Sequence, residues 1–338
     1  MKTTILICTF NGKHKLRDTL SHISNLILPN NIEFLEIVLV DNASSDGTTE
    51  FAQAFWDTLN SKIDLNIIFE NKPGKAHALT TGYNVAKGDL IVLCDDDNWL
   101  DNQFLIHAEE LFRQEPEIGM AGGYGIAAIF ANDNKPYWFD DFQGYYVVGT
   151  HHPHSRVLTK NDYSIYGAGS VIRKSVWDEI YRSGFRFQNS STAGRAIAED
   201  VELSMAVTFA GYKLYFDQRL TFTHDLRWGR MSIDNLIDQE KANAKGLVFL
   251  RVYELLYHRL GCRFLFLRFL KDYMNEIFNF HLAISKLKKN KKNYNPIRYR
   301  VLLSSKKSTC YHLWVLMPQV LFRFRFYHSW ISNLVLGK

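Results

Sequence analysis

No Asp or Glu follows Glu276 in this 338-residue sequence, although 12 Lys and Arg do. Subtracted from the overall net charge of +5, those 12 leave residues 1–276 at −7, so the basic balance belongs to a tail on an acidic body. Such a body repels phosphate backbones, and no nucleic-acid partner is expected. Cysteine is scarce as well. Cys8, Cys94, Cys262 and Cys310 lie far apart with no CxxC or Cys/His spacing, which excludes a zinc-finger or disulfide scaffold and fits a reducing cytoplasm. No uninterrupted apolar run reaches the roughly 18 to 20 residues that a spanning helix needs. The opening Met1-Lys2-Thr3-Thr4 runs straight into strand-like Ile5-Leu6-Ile7-Cys8 without a signal-peptide core, so secretion is not expected. There is no internal repeat, and no GxxxxGK[ST] loop of a nucleotide hydrolase.

With 46% hydrophobic residues the chain has ample material for a large core. Residues 4–10, 36–41, 64–69 and 89–94 are apolar runs of strand length, and 213–217 is strand-like too. Leu16, Leu20 and Ile23 recur at helical spacing between the first two runs, 75–87 reads as a helix between the third and fourth, and 199–210 is helix-like. Apolar strands alternating with helices predict an α/β protein with a mostly parallel sheet covered on both faces. Ligands of such sheets bind beyond the carboxyl ends of the strands, where Asn11, Asp41 and Asp95 to Asp97 fall. From about 119 to 190 the pattern turns to Gly, aromatic and His residues, as expected of a second half facing the first across a cleft. Beyond 235, helical stretches at about 239–288 and 311–336 flank a basic linker.

Asp95-Asp96-Asp97 directly follows the buried-strand pattern Leu90-Ile91-Val92-Leu93. Adjacent carboxylates repel one another unless a cation neutralises them, and oxygen ligands of this kind suit Mg²⁺ or Mn²⁺ with phosphate oxygens completing the shell. A solvated acidic turn that caps the next helix is the alternative. Val40-Asp41-Asn42-Ala43-Ser44-Ser45-Asp46-Gly47-Thr48 ends another strand in a polar turn, with Asp41 able to accept from a base or ribose and Asp46 suited to capping. Thr9-Phe10-Asn11-Gly12 offers polar groups at the same edge. Lys75, in Asn71-Lys72-Pro73-Gly74-Lys75, stands at a helix N-terminus whose amides attract a diphosphate, though a solvated lysine fits equally.

In order and spacing, Cys-Thr-Phe-Asn-Gly (8–12), the 40–48 segment, Gly-Lys-Ala-His-Ala-Leu (74–79), Ala-Lys-Gly-Asp (86–89) and the acidic run resemble family 2 glycosyltransferases, inverting enzymes of the GT-A fold. The resemblance is strong over about 1–125 and looser to about 235. It implies a Rossmann-like, mixed but mostly parallel sheet flanked by helices, divided into a nucleotide-sugar half at 1–118 and an acceptor half at 119–235, with a helical basic extension at 236–338. It further implies that Thr9, Asn11 and Asp41 line the nucleoside pocket, that Asp95 and Asp96 lie by the donor with Asp95 near the ribose, and that Asp97 binds the metal. Glu199-Asp200 resembles the family's acidic pair, whose Asp is the catalytic base; an acidic helix N-terminus is the plainer reading. Gly167-Ala168-Gly169-Ser170 resembles its small-residue segment, where backbone approaches ligand. His224 occupies the place of a further metal ligand, and Arg227 and Arg230 follow where leaving phosphates need neutralising. Arg227-Trp228 resembles the end of the QxxRW signature of processive synthases, but His224 replaces its Gln, which disfavours a polymer synthase. His151, His152 and His154 read as a polar loop rather than a metal site.

The tail interleaves cations and aromatics, as in Leu321-Phe322-Arg323-Phe324-Arg325-Phe326-Tyr327-His328-Ser329-Trp330, a pattern suited to an anionic membrane surface. The expected protein is therefore an inverting transferase, peripheral at the inner face of the cell membrane, moving a sugar from a nucleotide-sugar donor to a glycan or lipid-linked glycan. A sugar nucleotidyltransferase and an inactive nucleotide-sugar-binding module are the alternatives. The first is disfavoured by the lack of a Gly-rich, Arg-containing loop after the first strand, and the second by the intact carboxylates.

Overall fold

The structure is a computed structural model describing residues 1–128, 135–149, 152–159, 165–188, 198–226 and 231–337. The first half alternates β1 (Lys2–Thr9), α1 (Leu16–Ser24), β2 (Phe34–Asp41), α2 (Thr48–Thr58), β3 (Asp64–Phe69), α3 (Lys75–Val85) and β4 (Leu90–Leu93). Then come β5 (Asn98–Leu100), α4 (Phe104–Gln114), β6 (Ile118–Ala128), α5 (Phe139–Phe142), β7 (Arg156–Val157), β8 (Ser170–Arg173), α6 (Lys174–Arg182), α7 (Glu199–Phe209) and β9 (Lys213–Asp225). The C-terminal helices are α8 (Ile233–Tyr257), α9 (Leu265–Lys289), α10 (Pro296–Val315), α11 (Met317–Phe322) and α12 (Phe324–Leu336).

Among the described residues these strands form one sheet in the order β3-β2-β1-β4-β8-β6-β9-β5, with β7 on β9. β3, β2, β1 and β4 are parallel, so their carboxyl ends share one edge. β1 lies between β2 and β4, and the crevice where the strand order reverses opens at that edge. β8 inserts antiparallel between β4 and β6, while β9 runs parallel to β6 and carries β5 on its far side. The sheet passes without a break from the first half into the second.

Alternation along β1 divides the core into two layers. Leu6 and Cys8 join one layer, Ile5 and Ile7 the other. The second layer is closed by α1, α2 and α4; in α1, Leu16, Thr19, Leu20 and Ile23 form its buried stripe at helical spacing. The first layer is closed by α3, α6 and α7, and also by the C-terminal helices through Val248, Tyr253, Phe269, Tyr273, Leu313, Tyr327 and Trp330.

That packing divides the tail. Within 321–330, Tyr327 is 0% and Trp330 1% exposed, their spacing pointing them into the sheet's core, while Phe322 is 89% exposed. The expected helix over 239–288 is two helices, parted at Gly261 and Phe264, whose φ of 75° and 58° end one helical path and begin another. The basic linker is the end of α9 and a 3₁₀ turn, Lys291–Asn293. No described helix is long and apolar enough to cross a membrane.

Candidate active site

β4 ends at Leu93, and the chain turns through Asp95 to Asp97 into β5. β5 pairs antiparallel with β9, Asn98 opposite His224, and the Asp225 amide donates to the Asp97 carbonyl at 2.9 Å. The last turn of the sheet thus brings His224 against the acidic run, its Nε2 3.6 Å from Asp97 Oδ1. His224 Nδ1 lies 2.6 Å from the Tyr146 carbonyl, which can only accept, so Nδ1 carries a proton. Nε2 then turns its lone pair towards the Asp97 carboxylate. Both residues are buried. Among the described residues no group of three or more His, Cys, Asp or Glu is arranged to hold a metal. Among the described residues Asp97 and His224 lie side by side, an oxygen and a nitrogen donor of a kind that would suit a divalent ion.

Asp96 is held from two sides. Thr9 Oγ1 donates to its Oδ2 at 2.8 Å, and Lys15 Nζ lies 3.0 Å from its Oδ1 and 3.2 Å from Asp97 Oδ2. Burial, then the neighbouring Asp97 charge, pushes the Asp96 carboxyl upward, and Lys15 and Thr9 oppose that rise. Lys15 escaped the sequence reading. A lysine before α1 has no local signal, and only the β1–β4 pairing brings it to the acidic run.

Lys75 starts α3 after Gly74, whose φ of 127° favours glycine and whose amide donates to Asn42 Oδ1 at 2.7 Å. Asn42, at the end of β2, also donates to the Lys72 carbonyl at 2.8 Å, which fixes the turn. Lys75 Nζ consequently reaches Asp95 Oδ1 at 2.8 Å and Glu199 Oε1 at 3.7 Å. Burial works against its charge, but Asp95 and Glu199 outweigh it and hold the ammonium well above its ordinary pKa.

Asp200 stands in the first turn of α7 across the cavity. Its Oδ1 accepts from the Val201 amide at 2.8 Å and its Oδ2 from the Gly167 amide at 3.1 Å. The small-residue segment therefore serves Asp200: a Cβ on Gly167 would stand 3.2 Å from Asp200 Cβ, and Gly169, at φ 63°, leaves room only for the Phe222 ring. Burial pushes the Asp200 carboxyl above its ordinary range, and the Val201 amide, Lys75 and the Gly167 amide pull it back. Glu199 is raised by burial and lowered chiefly by Lys75.

These groups line one cavity of about 490 Å³: Thr9, Lys15, Lys75, Asp95 to Asp97, Glu199, Asp200 and His224. Tyr145, Tyr146, Asn235 and Gln239 complete it and were absent from the sequence reading. Gln239 Nε2 donates to the Tyr145 carbonyl at 2.9 Å, so α8 is part of the wall. Asn11 and Asp41 do not line the cavity. Asn11 Oδ1 accepts from the Ser45 amide at 2.9 Å, while Asp41 accepts from the Ser44 amide at 2.9 Å and Thr49 Oγ1 at 2.6 Å, so both brace the turn after β2. Asp46 accepts from the Thr48 amide at 3.1 Å, but the cap position of α2 is Gly47 and has no side-chain cap bond, so Asp46 shapes the turn before the helix rather than capping it. His152 packs edge-on against Phe216. Arg227, Arg230 and His151 lie outside the described residues.

Comparison with known proteins bears on the family and the fold. The sequence profile of Glycosyl transferase family 2 matches residues 4–181. Cholesterol galactosyltransferase of Borreliella burgdorferi is 21% identical over 231 residues, 68% of this chain and 62% of that protein. Glycosyltransferase GlyA of Streptococcus pneumoniae is 22% identical over 233 residues, 68% of this chain and 31% of that protein. The matches thus span less than two thirds of either relative. Among solved structures, the mannosyltransferase PcManGT of Pyrobaculum calidifontis, in complex with GDP-Man and Mn²⁺, superposes with a TM-score of 0.56 at 17% identity, covering 93% of this chain and 86% of that one.

Proposed function

The chain belongs to glycosyl transferase family 2 and has the GT-A fold, and from that premise we propose that it transfers one sugar, with inversion, from a nucleoside-diphosphate sugar to a hydroxyl acceptor. The observation that carries the reading is the single cavity in which Asp200 faces the Asp95 to Asp97 run with Lys75 between them. In the proposed reaction Asp200 takes the proton of the acceptor hydroxyl, whose oxygen attacks the anomeric carbon. The bond from that carbon to the diphosphate breaks, and the diphosphate departs with the electron pair. One base and one displacement invert the anomeric centre. The two amides that fix both oxygens of Asp200 hold it in place for the proton.

Thr9 and Asp95 are proposed to meet the nucleoside, with Asn11 and Asp41 shaping the turn beside it. Asp96 acts through Thr9 and Lys15, which it holds at the site. Lys75 and Lys15 counter charge on the departing diphosphate, and Arg227 is proposed to join them. Asp97 and His224 would hold a divalent cation, Mn²⁺ or Mg²⁺, which supplies Lewis-acid neutralisation of the diphosphate when bound. The neighbouring mannosyltransferase complex contains Mn²⁺, which supports this choice of ion. The relative that bears the name cholesterol galactosyltransferase supports a lipid acceptor, and we extend the proposal to a lipid-linked glycan of cell-surface polysaccharide synthesis at the inner face of the membrane.

The test is a panel of labelled UDP-, GDP- and dTDP-sugars with Mn²⁺ or Mg²⁺, read as donor turnover. Asp200→Asn should keep nucleotide binding, seen as a thermal shift, and lose turnover by roughly 10²-fold or more. Equal turnover in the variant removes Asp200 from the reaction. Turnover of no donor at all sinks the transferase reading.

A further inference from the structure

Helix α9 is apolar on two opposite faces. Inward, Phe269, Tyr273 and Ile277 lie in the core, none more than 3% exposed. A helix that serves only as a lid on a core carries polar side chains outside. Here Leu267, Met274, Phe278 and Leu282 recur on the outer face at spacings of seven, four and four, and they are 62%, 38%, 62% and 44% exposed. Phe264, at the entrance, is 63% exposed. At 3.6 residues per turn these side chains make one stripe running the length of a 25-residue helix.

The charges around the stripe have one sign. The two acids of α9 turn towards α8: Asp272 accepts from Arg259 Nε at 2.8 Å, and Glu276 lies 3.8 Å from Arg251. By the same periodicity Lys271 and Lys289 fall within the stripe and Arg268 and Lys286 on its flank, all four exposed. The sequence after Glu276 adds only cations.

We propose that the outer face of α9 docks on an anionic lipid bilayer, the helix lying in the interface with Leu267, Met274, Phe278 and Leu282 among acyl chains and its cations among lipid phosphates. No described helix is long and apolar enough to cross a membrane. A second copy of the chain fits the face poorly, because a two-fold contact would set Lys271 and Lys289 of one copy against those of the other with no carboxylate between. The link to a lipid-linked acceptor rests on the proposed transfer activity, whereas the docking itself does not.

The full-length chain is sedimented with vesicles of phosphatidylglycerol and phosphatidylcholine, and with vesicles of phosphatidylcholine alone. The expected result is binding to the anionic vesicles that high salt weakens and that a Leu267→Asp/Phe278→Asp variant loses by about tenfold or more. A Lys271→Gln/Lys286→Gln variant should lose the preference for anionic lipid. Its positions are exposed, so it reads the same surface should the first variant fail to fold. The proposal is overturned when the wild-type chain stays in the supernatant, when both variants bind as it does, or when light scattering finds a dimer that Phe278→Asp dissolves. Donor turnover is measured on the same samples. Vesicle binding without turnover keeps the docking surface and sinks the transferase reading; turnover without vesicle binding does the reverse.

Discussion

Lys75 stands between carboxylates from opposite sides of the cavity, Asp95 after β4 and Glu199 at the head of α7, with Asp200 as the next residue. Its charge lowers both Glu199 and Asp200, against burial that raises them. The proposed base, Asp200, acts only when ionised, so kcat/KM should hold above its pKa and fall as the pH drops through it, with this acid limb shifted upward from the ordinary carboxylate position. Lys75→Met removes a cation that favours the ionised form, so the limb should move to higher pH while the maximal rate also drops. A pH–rate profile of donor turnover, normalised to each variant's plateau, checks the direction. A limb that stays in place or moves to lower pH shows that Lys75 does not set the protonation of the base.

Between elements, the tie from α7 to the C-terminal helices runs through a fully buried carboxylate. Glu202, two residues beyond Asp200 on α7, accepts from Tyr253 Oη of α8 at 2.6 Å and from the Gln188 amide at 2.9 Å. Tyr253→Phe takes one donor from that buried charge and should cost about 1.5–3 kcal/mol, read as a shift of the urea midpoint at constant slope. A cost under about 0.5 kcal/mol would mean that Glu202 is satisfied without Tyr253. What the sequence makes legible at this scale is local. The strands beginning near 2, 34, 64 and 90 are largely apolar runs, and the polar end of the last carries Asp95 to Asp97. Helices α3 and α7 put Lys75 and Asp200 at their first turns. Partners that the fold brings from far away are not legible. Lys15 reaches Asp96 across 81 residues, and the Tyr146 carbonyl reaches His224 across 78, with no pattern at either end. Asp41 and Asn11 carry the right motif, yet their side chains are engaged by the turn itself. The buried side of the tail is not legible for a related reason. Tyr327, Trp330, Ile331 and Leu334 have the spacing of a helix on a lipid surface and equally that of a helix on a core, and it is the core that covers them.

For the molecule as a whole, the C-terminal helices are part of the body that holds the site cavity. Trp330 packs edge-on to Phe185 at 5.2 Å and to Tyr253 at 5.0 Å, all three fully or nearly fully buried. Arg323 donates to Gln188 Oε1 at 2.7 Å and Asn333 to the Ser183 carbonyl at 3.0 Å, so α12 also fastens the segment that follows α6. A chain ending at Leu316 loses Tyr327, Trp330, Ile331 and Leu334 from the core. At roughly 1.5–3 kcal/mol for each fully buried side chain, the loss is on the order of 6–12 kcal/mol. That approaches the whole stability of an ordinary domain, about 5–15 kcal/mol. The shortened chain should therefore aggregate or show no cooperative thermal transition, and lose donor turnover with it. A removable anchor behaves differently: the truncated chain would stay soluble, melt within a few degrees of the full chain and turn over donor at the same rate. Point substitutions on the exposed stripe of α9 can separate membrane contact from catalysis, because Leu267 and Phe278 project away from the core that α12 completes.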